Sequence, residues 1–177
     1  MKLGLVTTPN PVLLSKTKAV KVFDKKIKDI IAEMKRVLNA CKDPEGVGLA
    51  APQVGLLLSI FITKPYPKST INAYINPILL ETAKTFTSRK NTLEGCLSVT
   101  NTWANVVRPK WAVLKYQDQT GQEHTQKFTG WEAQIILHEM DHLKGTLFTK
   151  VAIDQNKQLY RIEKDENGQE ELVKIEI

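Results

Sequence analysis

The sequence of 177 residues predicts an α+β fold, and three observations carry that reading. Two stretches, about Asp24 to Lys42 and Gly130 to Lys144, repeat apolar residues at helical spacing. Several short runs between them read as strands, separated by Pro, Gly and Asn. The last 20 residues, "QLYRIEKDENGQEELVKIEI", read as a β-hairpin. The length suits a single domain spanning 1–177, with enough chain for a real core.

Taken in order, the N-terminal helix is amphipathic. Asp24 is a natural N-cap, and Ile27, Ile30, Ile31, Met34, Val37, Leu38 and Cys41 share one face. Pro44 is expected to stop it, and Cys41 to sit in the core as a small apolar residue. A glycine-rich loop, "EGVGLAAPQVG", leads to the strand-like "LLLSIFIT". "NAYINPILL", "WAVLKYQDQ" and "EHTQKFTG" supply further strand segments. Thr129 and Glu132 have capping-box spacing at the start of the second helix, and Gly145 is a natural C′ residue at its end. Ala133, Ile136, Leu137, Met140 and Leu143 make that helix apolar around much of its girth, so it is expected to be buried. In the C-terminal hairpin Asn167-Gly168 predicts a type I′ turn, and "LVKIEI" alternates like a half-buried strand.

Composition excludes several classes. No apolar run reaches the roughly 20 residues of a membrane span. Pro9 and Pro11 spoil the opening as a secretory signal, so a cytoplasmic location is expected. The two cysteines, Cys41 and Cys96, are expected to be reduced there. The net charge is +6, and the lysines between Lys16 and Lys28 read as a solvated face, or more weakly as attraction to an RNA-rich partner. Zinc-finger spacing and aromatic RNA-binding signatures are missing, and no DNA partner is expected.

The chemistry is concentrated in "ILHEMDH", Ile136 to His142. Residues four apart lie on one helical face, so His138 and His142 can aim at one ion while Glu139 reaches the side where water binds. A polar cluster on so apolar a helix needs partners. A catalytic site needs a third ligand and one open position. Downstream, Glu163 would complete an endopeptidase-like site, although it stands in a charge run; upstream, Cys96 in "LEGCLSV" would complete a Cys/His/His site. A metal that only staples the fold is the third alternative. "GVGLAA" fits the dinucleotide fingerprint G-x-G-x-x-A, but it follows a helix and precedes a strand, the reverse of what that site requires. Small residues there let another backbone approach closely, and Gln53 offers an amide donor.

Together, "GVGLAAPQ", "EGCLS" and "HEMDH", in that order, resemble the three motifs of the peptide deformylase family over roughly residues 5 to 150. The resemblance implies strands packed around the HExxH helix. It implies that Cys96, His138 and His142 hold one divalent metal, Fe(II) in the cell, with Zn(II), Ni(II) or Co(II) able to replace it. It makes Glu139 the general base and then the acid, and gives the oxyanion to Gln53 and the backbone N–H of Leu97. Val47, Gly48, Leu49, Glu94 and Gly95 are then substrate-binding, with the peptide added like a strand. The implied substrate is the formyl group on the N-terminal methionine of nascent polypeptides. The implied protein is a monomer, with weak ribosome association as a further partner. Leu137, Thr100 and Trp103 depart from the family pattern, as does a hairpin at the C-terminus.

Overall fold

The computed structural model describes residues 2–86 and 93–176. Helix α1 (Lys25–Ala40) is followed by β1 (Gly48–Ala50), a 3-10 turn (Ala51–Val54), β2 (Ile60–Thr63) and β3 (Asn72–Thr82). Then come β4 (Glu94–Cys96), β5 (Val99–Ala104), β6 (Trp111–Gln117) and β7 (Glu123–Thr129). Helices α2 (Gly130–Leu143) and α3 (Phe148–Asp154) precede β8 (Leu159–Lys164) and β9 (Glu170–Lys174). The strands form two antiparallel sheets, ordered β1-β2-β3-β6-β7 and β4-β5-β8-β9. The class is α+β.

Strand β2 shows why the first sheet is covered on both faces. Successive side chains of a strand point to opposite sides. Ile60 and Ile62 pack with Ile30, Ile31, Met34 and Leu38 of α1. Phe61 points the other way, into a cluster with Tyr74, Leu114, Phe128 and α2's Ile136 and Met140. Its ring stacks on Tyr74 at 4.8 Å between centroids. A third cluster places Phe148 and Ala152 of α3 against Ala104, Leu159 and Cys96 of the second sheet. Phe61 has no exposed surface. Its replacement by alanine is expected to cost about 3–5 kcal/mol, read as a lower urea midpoint.

Several expectations need correction. Asp24 does cap α1, accepting from the Ile27 N–H at 3.2 Å, but the helix ends at Ala40, before Pro44 can act. Cys41 is the C-cap and only half-buried; its thiol donates to the Val37 carbonyl, 3.4 Å away. "LLLSIFIT" yields a strand only from Ile60, and the glycine-rich stretch contains β1. Thr129 makes no side-chain cap bond, because it is the last residue of β7, paired with Trp111. The helix end follows expectation: the N–H groups of Gly145 and Thr146 bond to the carbonyls of His142 and Asp141, with Gly145 at φ 72°.

The C-terminal turn is not type I′. Gly168 N–H bonds to the Asp165 carbonyl, and only Gly168, at φ 78°, is left-handed. The Asp165 side chain accepts from the N–H of Asn167 and of Gln169. That is a type I turn followed by a left-handed glycine, and an aspartate at its first position stabilises it locally. Helix α3 was not anticipated; seven residues are too few for periodicity to register. Among the described residues, no helix is long and apolar enough to cross a membrane.

Candidate metal centre

Helix α2 sets His138 and His142 one turn apart, with ring centroids 4.9 Å from each other. Cys96 arrives from the second sheet at the end of β4. The β4–β5 ladder slips between Gly95 and Cys96, going from Gly95↔Trp103 to Cys96↔Val99. Such an irregularity re-aims a side chain, and here it turns the thiol toward α2. Cys96 Sγ lies 3.2 Å from His142 Nε2. The ligand atoms of Cys96, His138 and His142 all lie within 4.8 Å of one another, and all three residues are buried.

A salt-bridge network fixes the first histidine. His138 Nδ1 bonds to Glu94 Oε1 at 2.6 Å, which leaves Nε2 as the atom free to bind an ion. Arg108 grips Glu94 with two bonds, of 2.8 and 2.6 Å, and donates a third to Asp141 at 2.9 Å. Burial pushes the Glu94 carboxyl up, but hydrogen bonds from Arg108 and His138 and their charges win and hold it at about 2. Burial alone would lower His138; the thiol and carboxylate beside it raise it instead. Burial also lowers His142, and the charge of His138 adds to this. A neutral His142 is a competent ligand.

Glu139 is 3% exposed and sits against Gly48. Burial raises its carboxyl to about 7, with His138 opposing and Glu94 reinforcing the shift. A proton acceptor tuned near neutrality is what general-base catalysis requires. Its Oε2 and His142 Nδ1 are buried without a hydrogen-bond partner among the described residues. A lone carboxylate oxygen is costly to bury, so an orphan beside three soft and borderline donors indicates a polar occupant. Thiolate plus two imidazoles fits one divalent transition metal, with the fourth side left for water.

Gln53 completes the centre. Its Oε1 accepts from the Ala50 N–H at 2.8 Å, which fixes the amide orientation because a backbone N–H can only donate. Nε2 therefore faces Ser98 Oγ at 3.2 Å and Cys96 Sγ at 3.5 Å. The site opens into a cleft of about 220 Å³. Val47, Gly48, Glu94, Gly95 and Leu97 line it. Leu49 does not: its side chain is fully buried in the α1 core. Glu163 is not part of the cluster; it pairs with Arg161 on the exposed hairpin.

Three groups escaped the sequence reading. Arg108 gave no local signal, since its partners lie on β4 and α2. Ser98 is visible only as Gln53's partner. Trp131, Gln134 and Ile135 line the cleft, and they stand seven, four and three residues before His138. That spacing puts them on the ligand-bearing face of α2, a signal the sequence did contain.

Gly48 permits a close approach that a side chain would block. A Cβ there would lie 2.3 Å from Glu139 Oε1. Gly48→Ala is expected to push the carboxylate aside while sparing the ligands. The check is kcat, expected to fall about 10²-fold with metal content unchanged.

An α+β fold with one cysteine and two histidines around a single point, beside a buried carboxylate, has the make-up of a metal-dependent hydrolase. The comparisons narrow that class. The polypeptide deformylase family model matches residues 2–158. The peptide deformylase of Borreliella burgdorferi is 40% identical over 144 residues, covering 81% of this chain and 84% of the relative. That of Chlorobaculum parvum is 39% identical over 153 residues, 84% of this chain and 78% of the relative. The crystal structure of the Thermotoga maritima enzyme aligns with a TM-score of 0.77 at 31% identity, over 85% of this chain and 97% of that one. A class I type b peptide deformylase from Acinetobacter baumannii gives 0.76 at 27%, over 85% and 99%. The chain belongs to the polypeptide deformylase family.

Proposed function

We propose that this chain removes the formyl group from the N-terminal formyl-methionine of newly made polypeptides by hydrolysis, releasing formate. The observation that carries the reading is Glu139 Oε2, without a hydrogen-bond partner among the described residues, beside the Cys96, His138 and His142 cluster at the head of the cleft.

Cys96, His138 and His142 hold the metal, Fe(II) in the cell, with Zn(II), Ni(II) and Co(II) as substitutes. Bound there, a divalent ion supplies Lewis acidity that brings the pKa of a water toward neutrality. Glu139 orients the attacking water and takes its proton. Gln53 Nε2 and the Leu97 N–H donate to the oxyanion that develops from the formyl oxygen. Glu139 then hands its proton to the methionine nitrogen, the C–N bond breaks, and formate and a free amine leave. Glu94, clamped by Arg108, keeps His138 in the correct tautomer and orientation.

The peptide lies along β1, which among the described residues pairs only with β2. The backbones of Val47 and Gly48, with Gly95 opposite, pair with it as an added strand. Leu49 contributes through its backbone alone. We read the fold as one domain spanning 1–177, with strands arranged around α2, which touches β1, β2, β6 and β7. The protein acts as a monomer in the cytoplasm. Its net charge of +6 favours a weak, salt-sensitive attraction to the ribosome.

The test is formate release from formyl-Met-Ala-Ser by protein purified and loaded without air. Acetyl-Met-Ala-Ser and the unformylated peptide serve as controls. One formate per peptide is expected from the first and none from the others. No formate from metal-loaded protein would remove the reading.

A further inference from the structure

We propose that a second groove, continuous with the cleft and walled by the C-terminal hairpin, binds the part of the nascent chain that follows its first residues. The inference rests on the deformylase reading of the cleft. The formyl end must sit beside Cys96 and Glu139, so the rest of the peptide has to leave by the mouth. Pro44, Cys96, Leu97 and Trp103 line the cleft and also line an adjoining groove of about 770 Å³. The Trp103 ring is seated on Gly95, where a Cβ would come within 2.6 Å of it, so this shared wall is fixed.

The groove runs between the loop after α1 and the sheet β5-β8-β9. Leu5, Val99 and Ile162 give it apolar surface, while Lys42, Lys164 and Glu170 bring charges of both signs. Such a mixture suits a partner with no fixed sequence, as the body of a nascent protein must be. The hairpin wall is tied down. Asn101, at φ 44°, donates from Nδ2 to the Ile162 carbonyl and accepts the Ile162 N–H on Oδ1, both at 2.9 Å. This pair of bonds extends the β5–β8 ladder, Trp103↔Tyr160 and Ala104↔Leu159, and holds the hairpin beside β5. An extended chain leaving past Trp103 therefore meets a preformed surface, and pre-organisation lowers the cost of binding it. Its contacts, remote from the reacting carbon, add to kcat/KM.

The experiment compares formyl-Met-Ala with a formyl-Met peptide of seven residues. The metal-loaded enzyme is assayed beside Thr100→Trp and Lys164→Trp, two exposed positions lining the groove. The parent enzyme is expected to favour the long peptide by about 5–10-fold in kcat/KM. Both variants are expected to lose that preference and keep their rate on formyl-Met-Ala. A readout independent of turnover is a photo-crosslinker at the fifth residue of the unformylated peptide, expected to label residues 99–102 or 162–170. Equal rates on short and long peptides, variants that keep the preference or lose both rates, or labelling elsewhere would overturn the groove. No formate even from formyl-Met-Ala would instead overturn the deformylase reading beneath it.

Discussion

Glu139→Gln is expected to retain one equivalent of metal and to release formate about 10³-fold more slowly, near the middle of the range for loss of a general base. The substitution is nearly isosteric, so the packing against Gly48 survives. The proposed ligands are other residues, Cys96, His138 and His142. What is lost is an oxygen able to take a proton at neutral pH, a property that burial gives this carboxyl by raising it to about 7. The amide can still orient a water but cannot carry its proton to the leaving nitrogen. Metal analysis and single-turnover formate release on the same sample separate the two effects. An unchanged rate would remove Glu139 from the mechanism.

Cys96→Ser is expected to abolish tight metal retention, and activity with it. A serine hydroxyl stays protonated near neutral pH, whereas a metal-bound thiol does not, so the site loses a charged ligand while keeping its shape. The change falls in a buried position of 8% exposure, where a smaller oxygen replaces sulfur on a side chain of the same shape. Folding should therefore hold. The check is metal content after gel filtration alongside the far-UV spectrum. Loss of metal with an intact spectrum is expected; full retention of metal would show that Cys96 is not a ligand. Glu163→Gln serves as the contrast, expected to keep both metal and rate because Glu163 pairs with Arg161 on the hairpin.

The site was legible in the sequence to the degree that its geometry is local. His138, Glu139 and His142 could be read directly, because helical spacing alone places them. Cys96 could not: its approach to His142 depends on the slipped β4–β5 ladder meeting α2. The need for a third ligand left it as one of two candidates beside Glu163, and the order of the three motifs favoured it. Glu94 was expected to meet substrate; it does line the cleft, and it also spans His138 and Arg108. That network ties β4, α2 and the segment before β6, and no local pattern encodes such a meeting. In the fold, the strand runs and both long helices showed through their periodicity. The sheet order and α3 did not, since tertiary pairing sets the one and seven residues are too few for the other. Asn167-Gly168 misled because Asp165, two residues before Asn167, favours a different turn.

A metal titration tests the central claim most directly. Metal-free protein, kept from air, receives Fe(II) in steps, and formate release from formyl-Met-Ala-Ser is measured at each. The rate is expected to rise linearly and break at one equivalent, and the Cys96→Ser protein is expected to show no such rise. A rate that is independent of metal, or a break at two equivalents, would contradict a single-metal deformylase built on Cys96, His138 and His142.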